Sequence, residues 1–530
     1  MKWLTAVAAG LALAASMPGP SAWPLAFVAL APWAWATRRG GFRVDYLTGL
    51  GFFAPTVFFL ARITWAAYLP TVVLAPLFVA LAGWVYRSLR GAMPSALALP
   101  LAWITGEAAR SYFLPARFPW DLLGYAAAGW LDLAGLASLG GPLLLSAVFA
   151  ASNGAIADAW DRRTWRPVVL AALALAPLVL VGGWLRRAVG ELAPGPMVAC
   201  VQPNVPQELK SLGVPWSQVS KDIQRLAGEG ARAGADVVVL PETMFLPFVA
   251  SDDAPPGATL TRPYLERPLG LPEIDREERR GIAELRQAIG PKPWLVVGAL
   301  GLDPRMRLQN SALLYDPDGR RRARYDKLHL VPGSEQLPLL GEGRLGDAVK
   351  RWIDEVSGGM VPELVPGDRV VVFEAAGARF GVSVCYDNVF PDLFRDAARQ
   401  GAQFHLVLSN EGWFPGSFEL DAMLAFSAFR AIETRRAVLR CTNTGVSCVI
   451  GPDGVLLSAL EREVQGVFSA RPPLGSRRTV YLAVGDLPAL LAAAGALLFA
   501  LARRAARRLD PPSSADKLAR PSSLLHPAAP

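Results

Sequence analysis

The chain has 530 residues, 52% of them hydrophobic and only 18% charged, with a mean hydropathy of +0.30. Soluble domains average about a quarter charged residues, so this composition excludes a wholly water-exposed chain. The formal net charge of +8 lies in arginines beside apolar runs, and no basic stripe interleaved with aromatics accompanies it, which excludes nucleic acid as the partner.

From the N-terminus, seven apolar runs follow one another at residues 3–17, 23–37, 46–61, 68–86, 92–109, 131–157 and 168–185. An eighth lies at 487–502. Spanning a bilayer takes roughly 20 residues of helix, so the first two runs are short for the task and the fourth to seventh fit it. With a cytoplasmic N-terminus, the inside loops hold Lys2, Arg38, Arg39, Arg43, Arg87, Arg90, Arg162, Arg163, Arg166, Arg503, Arg504, Arg507 and Arg508. The outside flanks hold fewer: Arg62, Arg110, Arg117, Arg186 and Arg187. This bias puts the long segment between the seventh and eighth runs outside the cytoplasm. Residues 1–22 also fit a signal peptide, whose cleavage would leave that segment on the same side.

The segment, residues 196–476, alternates short β runs with helical stretches. Strands rich in Val, Ile, Leu and Phe are expected at 197–201, 237–240, 294–300, 311–315, 380–384, 404–408 and 437–442, and helices at 217–229, 276–289, 393–400 and 421–433. The turns Asp316-Pro317-Asp318-Gly319 and Gly451-Pro452-Asp453-Gly454 separate strand pairs. This alternation predicts an α/β fold with a largely buried sheet. The expected organisation is a seven-span helical region over residues 1–190, a globular domain at 196–476, a last transmembrane helix at 480–508 and a disordered Pro/Ser/Ala-rich tail at 509–530.

Cys200, Cys385, Cys441 and Cys448 are the four cysteines and His329, His405 and His526 the three histidines. Without a CxxC pair they supply neither a disulfide scaffold nor a Cys/His zinc site, so no metal is expected. Three segments instead end an apolar run in a reactive side chain. Val237-Val238-Val239-Leu240-Pro241-Glu242 presents a carboxylate, Tyr325-Asp326-Lys327-Leu328-His329 an ammonium, and Gly381-Val382-Ser383-Val384-Cys385 a thiol. Taken singly, each has a plainer reading as a turn carboxylate, a surface charge or a small buried hydrophobe. In open α/β sheets, however, sites gather where strand ends converge.

Taken together, the three segments resemble the Glu–Lys–Cys arrangement of the nitrilase superfamily. The order of eight spans around one domain resembles the apolipoprotein N-acyltransferase family more closely. Val201-Gln202-Pro203-Asn204-Val205-Pro206-Gln207, Phe118-Pro119-Trp120 with Gly124-Tyr125, Asn410-Glu411-Gly412-Trp413-Phe414, Thr442-Asn443-Thr444-Gly445-Val446-Ser447 and Gly485-Asp486-Leu487-Pro488 also match. The resemblance implies a nitrilase-like αββα sandwich inserted between the seventh and eighth helices of an eight-helix bundle. It assigns Glu242 as general base, Cys385 as nucleophile and Lys327 as oxyanion stabiliser, with support from Glu335 and the Tyr386 backbone N–H and substrate contacts from Asn410, Trp413 and Phe414. It implies a bacterial inner-membrane enzyme, monomeric and without cofactor. Its catalytic domain faces outward and moves an acyl chain from a phospholipid through a cysteine thioester to a diacylated lipoprotein's N-terminal amine. A membrane-tethered amidase using the same triad is the alternative. A non-catalytic scaffold or transporter, with Glu107 and Arg110 as its polar pair, is a further one. Gly333-Ser334 after Val331-Pro332, Asp387 in place of a glutamate, Met423 in place of a histidine, and the tryptophan-free loop at Ser211, with Trp216 a few residues on, depart from the family pattern. The apolar loops at Pro247-Phe248-Val249 and Trp413-Phe414-Pro415 are candidates either for the bilayer surface or for core packing.

Overall fold

The apolar runs fold as helices whose arginine-bearing ends gather at one side of a bundle. The computed structural model describes residues 2–113, 117–206, 216–262, 265, 267–332, 334–336 and 364–509. Gln207, the loop at Ser211, Gly333 and the tail from residue 510 lie outside them, and so do the side chains of Trp216, Arg507 and Arg508. Among the described residues, four helices are long and apolar enough to cross a membrane: Ala67–Leu89, Ala137–Arg162, Arg166–Arg187 and Leu487–Ala506. The other runs give shorter or more polar helices, including Lys2–Ser16, Leu30–Thr56 and Ser95–Tyr112.

Leu30–Thr56 is a hairpin rather than a rod. Twelve residues of continuous helix would separate Trp33 from Asp45 by roughly 18 Å. Instead Trp33 Nε1 donates to Asp45 Oδ1 at 3.0 Å. The reversal comes at Gly41, whose φ of 54° and ψ of −145° suit a residue without a Cβ. Below this turn, Arg38 and Arg90 both pair with Asp161, at 2.6 and 2.7 Å, and Arg503 donates to the Ser88 carbonyl. The arginines of the opposite end serve another purpose. Arg62 donates to the Pro415 carbonyl, Arg117 pairs with Asp392 at 2.9 Å, and Arg186 lies 3.6 Å from Asp453. All three partners belong to the globular half, which therefore caps the end of the bundle remote from the first cluster.

That half contains two facing sheets. One runs in the order Val372–Ala375, Ala378–Val384, Phe404–Ser409, Ala437–Thr442, Ser447–Ile450 and Leu456–Leu460. The other runs Gly466–Ala470, Val198–Gln202, Val237–Val239, Trp294–Leu302, Leu308–Tyr315 and Arg321–Asp326, with Phe245–Ala250 beside Trp294–Leu302. Central strands of each sheet are parallel and buried on both faces, as their unbroken apolar runs demand. Cys200, Val239, Leu314, Phe380, Leu406 and Leu439 pack between the sheets. Helices Trp216–Arg232 and Leu271–Ile289 cover the outer face of the second sheet through Ile223, Leu226, Ile282 and Leu285.

Helices Pro391–Arg399 and Glu419–Thr434 cover the first sheet. They do not form a separate outer layer. Phe390, Phe394, Phe426 and Phe429 share one apolar cluster with Trp33, Phe53, Trp120 and Tyr125 of the bundle. The Tyr125 ring sits 4.5 Å from Phe426 and 4.9 Å from Phe429. Inside this seam Arg430 pairs with Glu433 at 2.8 Å and donates to the Tyr125 hydroxyl and the Val389 carbonyl. Of the two apolar segments that could serve the bilayer surface or core packing, the first has Val249 fully buried in the core of the second sheet's outer face. Phe414 is buried against Phe59 of the bundle, 5.1 Å between ring centroids.

Candidate active site

The reactive residues stand where strands end. Val237–Val239 leads through Pro241 to Glu242, Arg321–Asp326 delivers Lys327, and Ala378–Val384 delivers Cys385. Glu242 is held at its backbone by a close approach of the neighbouring strand. A Cβ on Gly298 would lie 2.6 Å from the Glu242 Cα, so only glycine fits beneath the carboxylate.

Glu242 is buried and fully ligated. Oε1 accepts from Asn310 Nδ2 at 2.6 Å, and Oε2 accepts from the Asn410 backbone N–H at 2.7 Å. Lys327 Nζ lies 3.6 Å from Glu242 Oε1 and donates to Glu335 Oε1 at 2.8 Å. Glu335 in turn accepts from the Val331 N–H at 2.8 Å and from Asn310 at 3.4 Å. One ammonium thus serves two carboxylates in a water-poor pocket. Burial raises the pKa of Glu242 above the usual carboxylate range although Lys327 opposes the shift. Burial works against the Lys327 ammonium, but Glu335, Cys385 and Glu242 outweigh it and hold its pKa above normal.

Cys385 turns the chain from strand into the short helix Cys385–Val389 with a φ of 50°, a conformation that lifts the side chain out of the sheet. Asp387 fixes this turn. Its carboxylate accepts from the Val384 N–H at 3.2 Å, the His329 N–H at 2.9 Å and the Tyr325 hydroxyl at 2.7 Å. Burial raises its pKa to about 6. The aspartate that stands in place of a glutamate therefore still binds the turn. Burial and the Glu242 charge push the Cys385 thiol well above its ordinary pKa, and Lys327 pulls in the opposite direction. The resting sulfur is a thiol, so attack requires a base.

The bundle reaches this turn directly. Trp120 stacks on Tyr386 with centroids 6.5 Å apart, and the Tyr386 hydroxyl donates to the Arg117 carbonyl at 3.4 Å. Burial lowers the His329 pKa to about 4, so the ring that lies against Phe390 and Arg117 is neutral at physiological pH. The Asn410 side chain accepts from Gly412 N–H and Asn443 Nδ2, at 3.3 and 2.9 Å, which shapes the loop carrying Trp413. Trp413 is half-buried. Met423, in the position of the family's histidine, is buried and offers its carbonyl to Asn388 at 2.8 Å.

Asn310 was not among the sequence expectations. It lies in the strand Leu308–Tyr315, which begins three residues before the expected start. The polar run Gln309-Asn310-Ser311 inside a buried strand is the signal that points to it. Glu107 and Arg110, the candidate transport pair, are tied into the same boundary. Glu107 accepts from Trp103 Nε1 and the Leu123 N–H, while Arg110 donates to the Phe118, Trp120 and Asp121 carbonyls. Both therefore hold the segment that follows their helix in place, with Glu107 Oε2 unpartnered among the described residues.

The carbon-nitrogen hydrolase family profile matches residues 197–480, and the profile of the apolipoprotein N-acyltransferase N-terminal domain matches residues 9–155. The globular half has the nitrilase-like fold. Among curated relatives, an apolipoprotein N-acyltransferase of Geobacter metallireducens is 27% identical over 94% of both chains. One of Chromobacterium violaceum is 30% identical over 90% of this chain and 88% of its own. One of Bradyrhizobium diazoefficiens is 31% identical over 77% of this chain and 72% of its own.

Proposed function

The chain belongs to the apolipoprotein N-acyltransferase family, and from this we propose that it moves a fatty acyl chain from a membrane phospholipid, through a thioester on Cys385, to the N-terminal amine of a diacylglyceryl-cysteine lipoprotein. The observation that carries the reading is the buried cluster of Glu242, Lys327, Glu335 and Asn310, whose charges act on the Cys385 thiol, with the adjoining Tyr386 packed on the membrane bundle.

Glu242 takes the Cys385 proton, and the thiolate attacks the ester carbonyl of the donor. The Lys327 ammonium and the Tyr386 backbone N–H stabilise the tetrahedral oxyanion. Collapse breaks the ester bond, and the departing glycerol oxygen, most simply at sn-1, takes the proton back from Glu242. The acceptor amine then attacks the thioester carbonyl. Its proton passes to Glu242, the C–S bond breaks, and the thiolate is reprotonated. A positioned base contributes about 10²–10⁴-fold in rate. Glu335 holds the ammonium in place, and Trp413, on the loop that begins at Asn410, is the expected substrate contact.

In this reading the domain is inserted before the last of eight membrane passes and faces the extracytoplasmic side of a bacterial inner membrane, acting as a monomer. Both substrates are lipid-anchored. A site at the bilayer surface spares their chains an exposure costing about 0.8 kcal/mol per CH₂. Intact-mass analysis after incubation with phospholipid tests the proposal. The expected result is a fatty-acyl increment that hydroxylamine removes and that Cys385→Ala lacks. An increment persisting in Cys385→Ala would place the nucleophile elsewhere, and free fatty acid forming faster than N-acyl peptide would favour an amidase.

A further inference from the structure

Beyond the groups used above, the region behind Asn410 and Trp413 holds a buried acid, Glu419, with one oxygen unpartnered among the described residues. Glu419 opens the helix Glu419–Thr434, a few residues after Asn410 and Trp413. Its side chain is only 3% exposed, yet Oε2 has no hydrogen-bond donor among the described residues. The Glu419 charge acts on both Cys385 and Glu242, so the carboxyl lies within electrostatic reach of the reaction centre.

The neighbours do not satisfy it. Glu411 is a second buried acid, and the nearby cation Arg440 is committed to Glu411, to Ser427 Oγ at 2.9 Å and to the Met423 carbonyl at 3.3 Å. Burial and Glu411 both push the Glu419 pKa well above its ordinary value, which is the behaviour of an acid lacking a counter-charge. A buried acceptor left without a donor bears its full desolvation cost. Such a group is best explained by a donor that arrives from outside.

A cationic donor fits best, because a positive charge would offset the neighbouring Glu411 acid and favour the ionised form of Glu419, while Arg440 is already committed elsewhere. We propose that Glu419, at the start of the helix that follows the Asn410–Trp413 loop, forms a subsite for a substrate's primary ammonium group. This inference rests on the acyl-transfer reading above. Two substrates carry such a group: the α-ammonium of the acceptor's N-terminal cysteine, and the headgroup of an ethanolamine phospholipid donor.

The test compares full-length wild type with Glu419→Gln and Glu419→Asp in two half-reactions. Acyl-enzyme formation is followed by intact mass with phosphatidylethanolamine and with phosphatidylglycerol of matched chains. Discharge of the acyl-enzyme is followed with a diacylglyceryl-cysteine peptide and with hydroxylamine, which is largely uncharged at neutral pH. If the acceptor occupies the subsite, Glu419→Gln lowers the peptide-to-hydroxylamine discharge ratio about tenfold or more. If the donor does, the phosphatidylethanolamine-to-phosphatidylglycerol ratio falls by that factor instead. Glu419→Asp retains part of whichever ratio moves. Equal losses with all four substrates would reveal a merely structural role and overturn the proposal, as would two unchanged ratios. Failure of the acyl-transfer reading looks different: wild type itself then forms no hydroxylamine-labile acyl-enzyme from either phospholipid, and the subsite falls with it.

Discussion

The side-chain nitrogen of Asn310 lies 2.6 Å from Oε1 of Glu242, closer than any other donor to that carboxylate. The same nitrogen reaches Glu335 at 3.4 Å. Asn310 therefore orients the proposed base and, after burial, Lys327 and Glu335, contributes to its basicity.

Asn310→Ala removes a donor that favours the ionised form of Glu242, so the Glu242 pKa rises further. A base must be ionised to act, and the acid limb of the pH–rate profile for acyl-enzyme formation moves to higher pH. The rate at neutral pH falls about ten- to hundredfold, the worth of a hydrogen bond to a charged group. A profile whose limb stays in place would remove Asn310 from this role.

Lys327→Met leaves Glu242 and Glu335 buried together with no cation between them. The loss of stability is about 3–5 kcal/mol, because one partner of a buried ion pair has gone. Glu242, already raised by burial and now without its cation, then titrates in the folded state at higher pH than in the unfolded chain. A group raised in this way contributes stability at low pH and loses it as pH rises through its folded value. The deficit against wild type is thus smaller at pH 5 than at pH 8 in thermal unfolding of the detergent-solubilised protein.

Glu433→Ala strands the Arg430 guanidinium within the seam between sandwich and bundle. The expected cost is again about 3–5 kcal/mol. The double replacement Arg430→Met/Glu433→Leu removes both charges and recovers most of it. Scanning calorimetry of the three proteins decides the point: a double variant no better than Glu433→Ala would mean that the Tyr125 and Val389 contacts matter more than the charge.

Sidedness has a direct readout. Arg462 is exposed on the globular half and Arg163 is exposed at the far end of the bundle. In intact spheroplasts, a membrane-impermeant maleimide labels Arg462→Cys and leaves Arg163→Cys unlabelled until lysis. The reverse pattern would invert the topology and separate Cys385 from lipoprotein acceptors outside the cell.

The three strand-end motifs were legible because each is local, an apolar run closed by one reactive side chain. The central parallel strands were legible for a related reason: burial on both faces leaves few polar residues to confuse the pattern. The strand Arg321–Asp326 was not expected, since its sequence Arg-Arg-Ala-Arg-Tyr-Asp is that of a charged sheet edge. Asn310 was missed because it meets Glu242 across 68 residues of sequence, a contact that no short window contains. Glu419 went unnoticed because an acid at the first turn of a helix has an ordinary explanation there. The runs at 23–37 and 46–61 read as separate apolar segments, and Gly41 sets most of their length as the two limbs of one hairpin, a reversal carried by a single glycine.

Finally, the apolar cluster common to Phe426, Phe429, Trp120 and Tyr125 ties the globular half to the bundle. On the proposed reading, side-chain packing then sets the height of the Cys385 sulfur above the lipid headgroups, much as a tool is set by the depth of its mount. Substrates must therefore do the vertical travelling, and a bilayer thinner or thicker than the native one would change how far each must rise to be reached.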